Sequence, residues 1–182
     1  MAGMAGMAGM AGMAGKVRLR AVRQSDLPIF FAHQLDPDAN RMAAFIFREP
    51  TDRDAFLAHW AKILADETIV KQTILFDGQV AGNIGSWVRD GQREVGYWLG
   101  REFWGQGVAT RALAAFLRRV AERPLYAYAA KDNLASLRVL EKCGFTIVGE
   151  DKEFSNARGT EVEEYVLVLG AATPDAAPDA AP

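Results

Sequence analysis

The chain is short of the residues that build crosslinks and metal centres. It holds one cysteine, Cys143, and two histidines, His33 and His59. A single thiol cannot close an intrachain disulfide, and with only two imidazoles beside it a zinc site is unsupported. A reducing, cytoplasmic setting fits that pattern. No apolar run approaches the roughly 20 residues that a membrane span needs. An excess of charge of one sign is missing too. Of the 23 acidic residues, Asp175 and Asp179 lie near the C-terminus, and the remaining 21 face 21 basic residues. A balance near zero excludes strong whole-domain attraction to nucleic acid or an anionic membrane, though not a local patch.

The two ends lack core-forming sequence. Residues 1–15 are five copies of Met-Ala-Gly. Glycine at every third position and the lack of a basic start argue against a secretory signal. The segment is read as an expression artefact or repeated start region and left out of the fold argument. Residues 171–182 (AATPDAAPDAAP) have too little apolar surface to fold and read as a disordered tail. Residues 16–170 are enough for one domain with a real core.

Within that domain, periodicity predicts the elements. Residues 16–22 (KVRLRAV) alternate as a half-buried strand. Ser25 and Asp26 read as an N-cap before Pro28 and a helix to about Leu35, and Asp36-Pro37-Asp38 breaks it. A short helical turn fits 39–44. After Pro50-Thr51-Asp52, a helix carries Phe56, Leu57, Trp60, Ile63 and Leu64 on one face. Strands at 69–76, 79–88 and 93–99, joined at Asp77-Gly78 and Arg89-Asp90-Gly91, form an antiparallel meander. A long helix is expected from the glycine-rich turn to about residue 123, then a strand at 125–130, a helix at 133–142, and strands at 145–149 and 163–169. The order β-α-α-β-β-β-α-β-α-β-β is a mixed α+β layer fold.

The sharpest local feature is Trp104-Gly105-Gln106-Gly107-Val108-Ala109-Thr110, between a strand and the long helix. Two glycines allow a tight turn and close backbone approach to a ligand. The first N–H groups of the helix then point outward with the positive end of its dipole, which suits a phosphate or pyrophosphate. The alternative is a glycine-rich helix entry without a ligand. A dinucleotide fingerprint would need glycine where Thr110 stands, and a P-loop needs Gly-Lys-Ser/Thr.

Residues 94–113 (EVGYWLGREFWGQGVATRAL), Asn133-x-x-Ser136 and Glu141-Lys142-Cys143-Gly144-Phe145, in that order, resemble the GNAT acyltransferase superfamily. The branch they resemble most contains the ribosomal-protein N-terminal (alanine) acetyltransferases. In the family's cofactor pattern, Gln/Arg-x-x-Gly-x-Gly/Ala, Gly107 and Ala109 match and Trp104 departs from the Gln/Arg position. The resemblance covers about residues 16–169. It implies a single α+β domain with a mixed seven-stranded sheet, splayed central strands and helices on both faces.

The resemblance also implies acetyl-CoA as donor and a primary amine as acceptor. Backbone N–H groups of Gly105, Gln106, Gly107, Val108, Ala109 and Thr110 would hold the pyrophosphate. The strand Tyr97-Trp98-Leu99 would splay from 125–130, leaving a gap for the pantetheine arm, with Asn133 touching its amide. A protonated amine must lose a proton before it attacks the thioester. Glu94 matches the acidic position that serves this, usually through water; the alternative is a solvated strand-end carboxylate beside Arg93. The tyrosine many members use for the leaving thiolate is replaced here by Leu140, and Ser136 matches the serine that stands in for it. For Ser136, the alternative is a helix residue satisfying its own turn.

Arg111 is a candidate for the 3′-phosphate of CoA, a solvated helix face being the alternative. Asp36, Asp38, Asn40, Met42 and Arg158, with the hairpin at 154–159, are candidates for the substrate side, and their mixed charge leaves the substrate's sign open. His33 and His59 read as surface or half-buried residues, and Cys143 as a small buried residue at a helix end. Trp60, Trp87, Phe45 and Phe47 read as core or pocket wall. The expected partner is an amine-bearing small molecule or protein N-terminus, with a homodimer admissible and neither nucleic acid nor membrane involved. The competing function is a non-catalytic acyl-CoA sensor or interaction module on the same fold.

Overall fold

The computed structural model describes residues 15–44 and 49–170. Phe45 and Phe47, residues 1–14 and the segment 171–182 lie outside the described residues. The chain begins with β1 (Val17–Ala21) and three helices, α1 (Leu27–Gln34), α2 (Pro37–Ala43) and α3 (Arg53–Ala65). The expected meander follows as β2 (Val70–Phe76), β3 (Gln79–Arg89) and β4 (Gln92–Leu99). Its two turns have the chemistry a two-residue hairpin requires. Asp77 and Gly78 have φ 48° and 85°, and Asp90 and Gly91 have φ 50° and 79°. Both central residues are left-handed, which matches the twist of the strands they join. Then come α4 (Val108–Leu117), β5 (Leu125–Ala130), α5 (Leu134–Lys142), β6 (Thr146–Ser155) and β7 (Thr160–Leu169).

The seven strands form one mixed sheet in the order β1-β2-β3-β4-β5-β7-β6. Only β4 and β5 run parallel; every other neighbouring pair is antiparallel. One face is covered by α4 and α5. Val108, Leu113 and Phe116 of α4 and Leu137 and Leu140 of α5 pack there with Val95, Leu99, Leu125, Ala127, Ala129 and Leu167. Fully burying each of the larger side chains stabilises the fold by about 1.5–3 kcal/mol. A second cluster joins α1 and α3 through Leu27, Phe30, Phe56 and Trp60, against Val22 and Val80. Successive strand residues point to opposite faces. Ala130, next to Ala129 of the main core, therefore turns away from α4 and α5 and meets Ala44 at the end of α2 and Val162 of β7. No helix among the described residues is long and apolar enough to cross a membrane.

The structure corrects several boundaries. Residues 39–44 belong to the full helix α2, capped by the Asp36 carboxylate, which accepts from the N–H groups of Asp38 and Ala39. α4 stops at Leu117 rather than near residue 123, although Val120 stays buried. The helical backbone region is disfavoured for the residue before proline, and Pro124 lies close ahead. β6 runs on to Ser155 and β7 starts at Thr160. Nearly all of β6 is exposed, so its sequence carries no alternation to mark its length. His33 is buried, with its ring edge-on to Phe103.

Asp26 is not the side-chain cap of α1. It is buried and takes hydrogen bonds from Arg20 at 2.6 and 2.7 Å, Thr73 at 2.7 Å and the N–H of Arg23 at 2.9 Å. Burial alone would raise its pKa, but these donors outweigh it and lower the carboxyl to about 2. A depressed acid contributes stability above its unfolded value, near 3.8, and loses it as pH falls toward 2. Asp26→Asn is expected to cost roughly 3–5 kcal/mol by leaving Arg20 without its counter-charge. Chemical denaturation at pH 7 checks the cost. Repeated between pH 5 and pH 2, it should show an acid-dependent loss in the wild type that is smaller in Asp26→Asn.

Candidate functional site

The site is built around a parting of strands. β4 and β5 pair only at Arg93 with Leu125 and Glu94 with Tyr126. Beyond that point β4 keeps β3 on one side, through Leu99 opposite Gly82, and among the described residues has no strand on the other. Tyr97, Trp98 and Leu99 lie on this opened stretch. The indole N–H of Trp98 is buried and has no acceptor among the described residues. The Leu99 carbonyl accepts from the indole of Trp104 at 3.1 Å, so the residue at the divergent Gln/Arg position ties the coming turn back to β4.

A short 3-10 turn, Arg101–Phe103, carries the chain from β4 into the glycine turn. Gly105 and Gly107 take φ 71° and 69°, and Gly107 is the left-handed N-cap of α4. A side chain at Gly105 would meet nothing within 4 Å, so the glycine serves the backbone angle and the space before the turn is clear. Among the described residues, no backbone carbonyl outside α4 takes the N–H groups of residues 105–110. Free N–H groups at the positive end of a helix form an anion site. Arg111 folds back beneath the turn instead of reaching outward: its guanidinium donates to the carbonyls of Gly15, Gln106 and Gly107 and lies over Phe76. The Cys143 thiol lies 3.6 Å from the Thr110 carbonyl, half-buried at the end of α5.

Glu94 and Ser136 stand on opposite faces of the opened strands. Alternation puts Arg93, Val95, Tyr97 and Leu99 toward α4 and α5, and Glu94, Gly96 and Trp98 toward the α2 side. Glu94 is buried, 3% exposed, and its partner is Arg89 at 2.7 Å rather than Arg93, which pairs with Glu122. Ser136 sits in the first turn of α5. Its N–H is capped by Asn133 Oδ1 at 3.1 Å, and its hydroxyl lies 2.8 Å from that of Tyr97. Burial pushes the Tyr97 phenol up to about 12, although the Ser136 hydrogen bond opposes the shift. The Ser136–Tyr97 contact across elements is invisible in sequence. Asn133 also donates from Nδ2 to the Met42 carbonyl at 3.1 Å, tying α5 to the end of α2.

The expected substrate-side residues are mostly anchors. Asp38 pairs with Arg101, Asn40 donates to the Gln34 carbonyl, and Arg158 grips Asp132 with two bonds and the Arg41 carbonyl with a third. Beside them a polar cleft of about 440 Å³ is lined by Arg41, Lys131, Asp132, Arg158 and residues 160–163.

A residue that sequence reading missed completes the α2-side face. Glu164 of β7 pairs with Ala130 at the open end of β5, is 2% exposed, and has no hydrogen-bond or ion-pair partner among the described residues. Burial raises its carboxyl to about 7; Glu153 and Asp151 add to the shift and Arg89 opposes it.

Comparison with known proteins agrees with this architecture. A family model described as an acetyltransferase (GNAT) domain matches residues 16–146. A Bacillus subtilis (strain 168) protein provisionally named ribosomal N-acetyltransferase YdaF is 28% identical over 110 residues, which is 57% of this chain. The match spans only 60% of that relative's length. Among solved structures, the microcin C7 self-immunity acetyltransferase MccE in complex with acetyl-CoA and AMP superposes with TM-score 0.72 at 16% identity, over 85% of this chain and 92% of that one. Mycobacterium smegmatis RimJ in complex with a CoA-disulfide gives TM-score 0.72 at 21% identity, over 87% and 83%. At such identities these likenesses establish the fold.

Glu164 makes the site measurable without a substrate. Its carboxyl, raised above an ordinary value of 4.5, favours the fold fully below that pH, and the contribution is lost as pH rises through 7. Glu164→Gln should therefore melt higher than the wild type at pH 8, on the order of 2–4 °C per kcal/mol recovered. Thermal melts across pH 5–8 should show the gain shrinking toward pH 5.

Proposed function

Because the chain belongs to the GNAT acetyltransferase family, we propose that it moves an acetyl group from acetyl-CoA to a primary amine by direct attack on the thioester. The observation that carries this reading is the opening of β4 from β5 directly before a glycine turn with free N–H groups. A long, thin donor ending in a pyrophosphate suits a slot that leads to an anion site. The acceptor is a small-molecule amine or a protein N-terminus, and the name of the Bacillus subtilis relative favours the latter. We also place the protein in the cytoplasm, a reducing setting that suits its lone thiol, Cys143.

In this reading the N–H groups of Gly105, Gln106, Gly107, Val108, Ala109 and Thr110 hold the pyrophosphate. Tyr97, Trp98 and Leu99 line the pantetheine slot, where the unpaired Trp98 indole offers a buried donor, and Asn133 stands at its mouth. Bound acetyl-CoA supplies the activated acyl carbon. Glu94 accepts the proton of the incoming amine through a water, held in place by Arg89. Ser136 donates to the departing thiolate, whose pKa near 8.5 calls for only modest help. Tyr97 remains protonated and supports the Ser136 hydroxyl from behind.

Four measurements test the scheme. Free-thiol release from acetyl-CoA over a panel of amines, with intact-mass detection on peptide N-termini, should find an acetylated acceptor; CoA binding with no turnover on any amine would favour the sensor function instead. Gly107→Glu should abolish CoA binding in calorimetry while circular dichroism shows a folded domain, because it adds bulk and negative charge where the pyrophosphate belongs. Glu94→Gln should lower the rate by about 10²- to 10⁴-fold, with the defect shrinking at high pH where the amine is already neutral. Ser136→Ala should cost about 10-fold, the weight of one hydrogen bond, in kcat rather than in CoA affinity.

A further inference from the structure

The α2-side face of the opened sheet carries a charge arrangement that the transfer chemistry above leaves unused. Strand alternation and register bring Glu94, Gly96 and Trp98 of β4, Tyr128 and Ala130 of β5, and Val162, Glu164 and Val166 of β7 onto this one face. Ala44 roofs it against Ala130 and Val162, held there by Ser155, whose hydroxyl donates to the Ala44 carbonyl at 2.5 Å. The groups that act on Glu164 come from each neighbouring strand. Asp151 and Glu153 of β6 and Glu94 of β4 are negative, and among the described residues Arg89 of β3 is the positive charge that acts on it. Arg89 is already engaged: it bonds Glu94 at 2.7 Å and lies over the Tyr128 ring at 5.2 Å. Lys131 is turned to Glu150 and Glu163.

Two buried carboxylates in this protein are thus treated in opposite ways. Asp26 accepts four hydrogen bonds, two of them from the Arg20 guanidinium. Glu164, equally buried, has no hydrogen-bond or ion-pair partner among the described residues, feels Arg89 only through space, and has other carboxylates facing it. A buried, uncompensated acid is destabilising, and a fold has no packing reason to keep one where glutamine would serve. Its position beside Ala130, at the mouth of the opened strands, gives it a use. We infer that Glu164 is the counterion that receives the amine in its protonated form, so that the site takes a primary ammonium with no carboxylate on the adjacent carbon.

This inference rests on the acetyl-transfer reading and adds the sign of the substrate to it. A zwitterionic amino acid would bring its carboxylate toward Glu94, Glu153 and Asp151 and be repelled. A peptide N-terminus or an alkylammonium would not. Arrival of the cation supplies the missing charge, and proton loss then proceeds through Glu94 as described.

The test uses the whole chain and two separable readouts. With glutamate side-chain carboxyls labelled with 13C, the NMR signal that Glu164→Gln removes is the Glu164 carboxyl, which should titrate near pH 7. Adding n-butylammonium should lower that midpoint by about one unit, the size expected for a nearby opposite charge, while n-butanol at equal concentration should not move it. A midpoint unmoved at about 100 mM n-butylammonium, far above a millimolar-range affinity, overturns the inference whatever the enzyme does with acetyl-CoA. In turnover with a free-amine peptide that the wild type acetylates, Glu164→Gln should raise KM for the amine by about 10- to 100-fold and leave CoA affinity unchanged, as loss of a charged contact predicts. A KM within twofold of the wild type would overturn it equally. Failure of every amine to be acetylated would instead sink the transfer reading, and the NMR titration would still decide the role of Glu164.

Discussion

Everything in the candidate site follows from two parallel strands that share two residue pairs and then separate. A parallel ladder is regular and hard to interrupt cheaply, because each strand leaves a row of backbone groups unmatched. Here the interruption is supported from both faces. α4 and α5 fill one side with Val108, Leu113, Phe116 and Leu137, so the sheet can open without losing its core. On the other side the end of α2, fixed through Ala44 and Asn133, keeps the gap from collapsing. The glycine turn, the hydroxyl pair and the buried carboxylates are placed by the same parting: each lies at the rim of the space it creates.

The two faces of that space differ in chemistry. Toward α5 lie neutral donors, Ser136 and Tyr97, with the phenol held in its protonated form by burial. Toward α2 lie carboxylates, one paired with Arg89 and one with no hydrogen-bond or ion-pair partner among the described residues. An arrangement with donors on one side and acceptors on the other suits a reaction in which negative charge develops on a leaving sulfur while a proton leaves a nitrogen. Alternation along β4 is enough to separate the two sets, since Tyr97 and Glu94 are three residues apart and so point to opposite faces.

Much of this was legible in the sequence, and the reasons are local. The meander could be read because Asp77-Gly78 and Asp90-Gly91 are turn pairs whose backbone angles few other residues accept. The glycine turn could be read because its angles and its helix start lie within a few residues. What escaped depends on partners far along the chain. Asp26 looks like a helix cap, since an acid before a helix usually is one; its burial is decided by Arg20 and by Thr73, 47 residues on. Glu164 sits in the run Glu161-Val162-Glu163-Glu164, which reads as a solvated strand end. Only the register of β7 against β5 and the presence of α2 above it make that carboxylate an interior group. The long β6 escaped for the converse reason, having almost no buried side chains to give it a period.

That exposed strand also bears on how the protein behaves in a crowded solution. β6 is an outermost strand of the sheet, and among the described residues one of its hydrogen-bonding edges has no strand beside it. Along its middle run Glu150, Asp151, Lys152 and Glu153, four charged residues in succession. If two copies met edge to edge, acid would be laid largely against acid. A bare strand edge is the ordinary starting point for a sheet to grow from one molecule into the next. Here the stretch that gives so little secondary-structure signal serves as a guard against that growth, and it does so through its lack of apolar pattern.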